Sequence, residues 1–241
     1  MKKGDIKKQE IIQTSESLFC RNGYEQTSIQ DILNQLHTSK GSFYHHFVST
    51  EALLETICLK RAEQSLDNIL KKSEESQSAT EKLDILLTAM IPLHDEKLSF
   101  IMMLLPIFIL PDGKSFKSSY CDSLRIIFHS VIRDTIDEGI NAHEMICENS
   151  DVLSDIIISL TNQLWVSMCD IIIKNETESK ETDLSVLLHI TEQYRSSVER
   201  LLSVPYGSII LIDIPLLKGL MDQIHIHWNT KNTKLLKEEK T

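Results

Sequence analysis

Between positions 39 and 47 the chain reads Ser-Lys-Gly-Ser-Phe-Tyr-His-His-Phe, which sets Lys40, Ser42, Tyr44, His45 and His46 among two phenylalanines. Wound as a helix at about 100° per residue, Phe43 and Phe47 share one stripe and must face a core. Gly41, Ser42 and His45 then lie on the opposite side, with Lys40 and Tyr44 on one flank and His46 on the other. Such a face suits non-covalent recognition of a DNA duplex. Lys40 can reach a guanine edge or a phosphate, and Ser42 or His45 can meet base edges. Tyr44, His46 and Thr27 are placed to hold backbone phosphates, which fix register without reading sequence. Gly41 allows close backbone approach. A plain aromatic corner would account for Phe43 and Phe47, but not for a glycine, a lysine, a tyrosine and two histidines on one short solvated face.

The elements that must position this helix are legible from periodicity and punctuation. A first helix is expected from about Asp5 to Asn22, carrying Ile11, Ile12, Ser15, Leu18 and Phe19 on one stripe and stopping at Asn22-Gly23. A second starts with Thr27 or Ser28 as N-cap and buries Ile29, Ile32, Leu33 and Leu36; the short third helix follows from Ser39 to about Phe47. Two short helices joined by a tight turn, the second with a polar outer face, form a helix-turn-helix. A fourth helix begins after Ser49 and runs towards Lys71, and the polar stretch 71–82 reads as a helix end or linker. Further helices are expected at about 80–91, 95–110 (disturbed by Pro106), 115–138 (ending at Gly139), 151–174 and 182–203, with a last one near 215–228. The β-branched run Ile209, Ile210, Ile212 leaves strand and helix turn both open.

The predicted fold class is therefore all-α. It comprises a three-helix head at 1–50 for DNA binding and a helical body at 51–241 for effector binding and dimerisation. Seven glycines and five prolines in 241 residues leave long stretches free to be helical. The net charge of −10 is uneven: residues 1–47 hold six Lys/Arg against five Asp/Glu, leaving the remainder at −11. A head that is not acidic on an acidic body can offer one end to phosphates. Five dispersed cysteines without a C-x-x-C pair fit buried thiols in a reducing cytosol, not a zinc site or disulfides. The charged opening residues and the short apolar run 101–110 point to a cytoplasmic protein with no membrane partner.

The residues from Ile11 to Leu54 closely resemble the tetracycline-repressor (TetR) family. Leu18-Phe19, Gly23-Tyr24, Thr27-Ser28-Ile29, Ile32, the nine-residue stretch from Ser39 to Phe47, and Glu51-Ala52-Leu53-Leu54 carry the resemblance. It covers about a fifth of the chain. It implies DNA contacts from Thr27, Lys40, Gly41, Ser42, Tyr44, His45 and His46; Ser28 and Ser39 complete the expected DNA-binding set. Three departures stand out. The usual turn glycine is His37, one of the few non-glycine types that tolerate positive φ. The usual small residue after Ile32 is Leu33, implying fuller packing, and the usual lysine before Glu51 is Thr50, removing one phosphate partner.

A single head offers too little contact for an operator, so double-stranded DNA with a palindromic site and a homodimer are the expected partners. Ile157, Leu160, Leu164 and Met168 form one candidate dimer stripe, and Leu187, Leu188, Thr191, Tyr194 and Val198 the other. Two such helices per subunit would build a four-helix bundle, as the resemblance implies. The soft and aromatic residues Met90, Phe100, Met103, Phe128 and Trp165, with His94, are the candidate pocket for a small-molecule effector; His129 is a further polar group there. The function that follows is a ligand-responsive repressor released from its operator by an effector. No phosphate loop, nucleophile elbow or H-E-x-x-H is present, so neither enzyme activity nor cofactor is expected. The alternative is a helical ligand- or protein-binding module that keeps the fold but has lost specific DNA binding.

Overall fold

The computed structural model describes residues 3–73, 75–91, 98–109, 113–178, 182–215, 217–219 and 221–226. The helices among them are α1 (Lys3–Asn22), α2 (Ile29–Leu36), α3 (Lys40–His46), α4 (Thr50–Ser73), α5 (Ala79–Met90), α6 (Leu98–Ile109), α7 (Gly113–Asn141), α8 (Ser150–Thr177) and α9 (Leu184–Leu202). Helical residues recur at 214–215, 217–219 and 221–226, and the described residues contain no strand. The chain is all-α, as its periodicity predicts.

Two compact units emerge. The first comprises Met1–Gln64 and Ser99–Leu124, the second Ser65–Leu98 and Arg125–Thr241. The first unit is built on Ile11, Phe19, Ile32, Phe43, Leu53 and Leu54, all fully or almost fully buried. Leu33 is buried too, giving the fuller packing expected of it. Polar ties fasten α1 to α4: Lys60 Nζ donates to Gln9 Oε1 at 2.6 Å, and Arg61 pairs with Glu16. The Arg61 guanidinium also lies 5.5 Å from the Phe100 ring centre, a cation–π contact within the same unit.

In the second unit α8 packs on α9 and α5. α8 is long and apolar enough to cross a bilayer, yet half of its apolar window is buried in the chain, as for a core helix. α6 runs through position 106, inside the span expected for it, whereas α7 departs from expectation by running past Gly139 to Asn141. Gly139 marks close packing rather than a helix stop, because a Cβ there would lie 2.6 Å from the Met145 sulfur. The helix closes four residues later, with His143 at φ 59° and the Glu144 and Met145 N–H groups donating to the Gly139 carbonyl.

The segment after α9 is neither strand nor helix at 209–212. Two carboxylates shape it. Glu199, only 2% exposed, accepts from the Gly207 and Ile209 N–H groups and from Arg195. Asp84 Oδ1 accepts from the Ile210 and Leu211 N–H groups at 2.8 and 2.9 Å. Leu211 consequently sits at φ 60°, in the left-handed region that leucine avoids. Side chains from α5 and α9 satisfy the Ile209, Ile210 and Leu211 N–H groups and Ile212 N donates to the Ile210 carbonyl, so no ladder is needed.

Candidate nucleic-acid interface

Capping chemistry sets the three head helices. Ser28 is the N-cap of α2: its hydroxyl accepts from Asp31 N, while Asp31 accepts from Ser28 N, a reciprocal capping box. The two Ser28 hydrogen bonds hold the Asp31 carboxyl below the ordinary range. α2 ends on His37 at φ 47° and ψ 46°, the left-handed cap position proposed for it. Its N–H donates to Asn34 O, and Thr38 N donates to Leu33 O at 3.1 Å. A non-glycine residue there carries strain of about 1–2 kcal/mol. Ser39 then caps α3 by accepting from Ser42 N, and the chain leaves α3 at Phe47 in extended geometry.

Phe43 and Phe47 anchor α3 inward; they are 0% and 4% exposed, with ring centres 6.0 Å apart. Lys40, Gly41, Tyr44 and His45 are exposed, and Ser42 and His46 are half-buried. The face predicted to project outward does so. The Lys40 ammonium lies 6.0 Å over the Tyr44 ring, and the His45 and His46 rings meet edge-on at 4.9 Å. Desolvation, then the charges of His45 and Lys8, lower the His46 pKa below the ordinary 6.5. His46 is thus mainly neutral at neutral pH. A Cβ on Gly41 would meet nothing closer than Ser39 Oγ at 3.9 Å. Packing within the chain therefore gives no reason for a glycine at this exposed point.

Thr27 is placed differently from the others. It is 5% exposed, and its hydroxyl donates to the Gly23 carbonyl at 2.8 Å, locking the loop between α1 and α2. Its outward reach is limited by that bond. Ser28 and Ser39 are exposed, but their hydroxyls serve as caps. At Thr50, where a lysine was noted as missing, hydrogen bonds join Tyr24, Thr50 and Glu51, and Ser49, Tyr24 and Thr50 all help lower the Glu51 pKa. Lys8, whose ammonium lies 5.8 Å over the Phe47 ring, brings a cation to this end of α3 that helical spacing did not single out.

The other predicted site residues divide between the units. Phe100 and Met103 are buried in the first; Met90, Phe128 and Trp165 are buried in the second; His94 lies outside the described residues. Trp165 Nε1 is a buried donor with no hydrogen-bond partner among the described residues. Of the candidate dimer residues, Ile157, Leu164, Met168, Leu187, Thr191 and Val198 are buried within this chain, while Leu160, Leu188 and Tyr194 are half-buried. Ile156 on α8 and Val186 and Leu201 on α9 are exposed, at 42%, 44% and 40%, and periodicity alone did not separate them from the core stripe.

Capped helices, a left-handed turn and an inward-anchored polar helix define a helix-turn-helix module. Residues 11–57 match the family model of bacterial regulatory proteins, tetR family. The likeness to that family lies in this domain, about a fifth of the chain. The HTH-type transcriptional regulator YerO of Bacillus subtilis is 34% identical over 117 residues, 47% of this chain and 40% of the relative. The match thus spans less than half of that regulator's length. Among solved structures, a TetR-family transcriptional regulator of Pectobacterium atrosepticum aligns over 84% of this chain and 97% of its own, with a TM-score of 0.60 and 16% identity. The B. subtilis transcriptional regulator FadR, solved in complex with stearoyl-CoA, aligns over 82% and 99%, with a TM-score of 0.53 and 17% identity. These likenesses establish the fold of the body beyond the matched head.

Proposed function

We propose that the protein is a ligand-responsive transcriptional repressor of the cytoplasm that binds a palindromic operator as a homodimer through α3. One observation carries this: Lys40, Ser42, Tyr44 and His45 make no side-chain hydrogen bond among the described residues, on a helix held by two buried phenylalanines. Their donors are left for base edges and phosphates. Gly41, without an intrachain packing reason, suits an approaching groove wall. Ile156, Leu160, Val186 and Leu201 supply the apolar surface by which two chains pair, setting the spacing of the two heads.

The effector reading rests on the second unit. Met90, Phe128 and Trp165 are buried there, and the orphan indole N–H of Trp165 suits a ligand bearing an acceptor. Release of DNA is linkage: an effector that favours heads spaced wrongly for the operator weakens binding by its differential affinity for the two states. A hundredfold loss corresponds to about 2.7 kcal/mol of coupling. The test is mobility shift and sedimentation on the chain with DNA from its own upstream region. Two chains per operator are expected; a monomer bound to a single half-site, or no specific shift, would overturn the proposal in favour of a binding module that kept only the fold.

A further inference from the structure

The second unit holds a cavity of about 780 Å³ that the residues discussed so far for an effector do not line. Its wall combines the last turns of α4 (Ile69, Lys72), α5 (Asp84, Ile85) and the segment after α9 (Ile210, Asp213). We infer that this cavity binds a small organic cation, an ammonium group on an apolar body, with Asp84 as counter-ion. The site goes beyond the effector pocket proposed above and does not require it.

Four observations favour that chemistry. Two carboxylates face one lysine in the wall, and Lys72 is exposed. Both backbone hydrogen bonds to Asp84 fall on Oδ1, which leaves Oδ2 for a ligand. α4 ends at Ser73, one residue past Lys72, so the negative end of its dipole lies at this wall. Ile69, Ile85 and Ile210 supply an apolar lining, and Ile210 is 60% exposed, surface that a ligand body would cover. The volume falls within the range of about 300–1,000 Å³ usual for small-molecule sites. Desolvation already raises the Asp84 pKa, so its charge is held at a cost that a cation relieves. The wall is also the strained turn at Leu211, hung from Asp84 and tied through Glu199 to α9. Occupancy is therefore felt at α9.

Calorimetric titration of the full chain tests this with 3-phenylpropylammonium, the neutral 3-phenylpropanol and the anion 3-phenylpropanoate. The ammonium should bind one per chain, at least tenfold tighter than the alcohol, and the anion more weakly still. Asp84→Asn keeps an oxygen acceptor for Ile210 and Leu211 but removes the charge, so it should lose tenfold or more for the ammonium and little for the alcohol. Thr88→Trp, which fills the cavity, should abolish both, with circular dichroism confirming that each variant is folded. An ammonium that binds no better than the alcohol, unchanged affinity in Asp84→Asn, or full binding by Thr88→Trp would each overturn the assignment. Operator binding is not read, so failure of the repressor proposal leaves this result intact.

Discussion

Two regions of the molecule concentrate polar groups, and they spend them in opposite ways. On α3, Lys40, Tyr44 and His45 stand exposed with no side-chain hydrogen bond among the described residues. Around 205–211, Glu199 and Asp84 take up the N–H groups of Gly207, Ile209, Ile210 and Leu211, and Arg195 donates to the Ile209 carbonyl. Tyr206 adds a hydroxyl to Glu192 and a ring face 4.6 Å from the Arg195 guanidinium. The second region is a fold device, because the partners of these N–H groups all lie inside one unit. The first has meaning only if a partner lies outside.

Substitutions should separate the two. The largest effect is expected from Phe43→Ala, which empties a fully buried site and should cost about 3–5 kcal/mol of head stability, read by thermal or urea unfolding. Glu199→Ala comes next. It strands the Gly207 and Ile209 N–H groups and removes one of the two carboxylates on Arg195, which keeps Glu192, for a loss of about 2–3 kcal/mol with no direct loss of DNA contact. A Glu199→Ala variant as stable as the parent would mean that the 205–211 segment does not depend on its carboxylate. His37→Gly should gain about 1 kcal/mol by relieving the left-handed strain, and unfolding curves would show it. Thr50→Lys should restore a phosphate contact and steepen the salt dependence of operator affinity by about one counterion.

The smallest effect concerns pH. The free-state pKa of His46 is lowered by desolvation and by neighbouring His45 and Lys8. A DNA phosphate nearby would raise it, so binding takes up a proton. The affinity gain is then full below the free-state value and disappears as pH rises through the higher bound-state value. Operator titrations between pH 5.5 and 8, a range of about two and a half units around the ordinary histidine value, should show tightening towards acid that is reduced in His46→Asn.

Much of the head was legible because its determinants are local. Ser28 and Ser39 announce caps, Phe43 and Phe47 share a stripe by their spacing of four, and His37 must take the left-handed turn between two short helices. Thr27 was read as facing outward because spacing cannot show that its hydroxyl reaches back to Gly23. The body was less legible for the same reason at longer range. The conformation of 209–212 is set by Asp84, 126 residues earlier in the chain, and by Glu199, so its β-branched composition is a poor guide. Gly139 resembled a helix stop until Met145 was seen packed on its Cα. In α8 and α9, apolar residues on both sides blur the stripe that faces the chain's own core with the one left open at Ile156, Val186 and Leu201.

The sharpest test is operator binding by the double variant Lys40→Ala, Tyr44→Ala, measured by mobility shift beside circular dichroism and sedimentation. Two contacts of about 1–3 kcal/mol each predict a loss of at least thirtyfold, with helix content, stability and oligomeric state unchanged. Undiminished binding by a folded double variant would show that α3 does not present the chain to DNA.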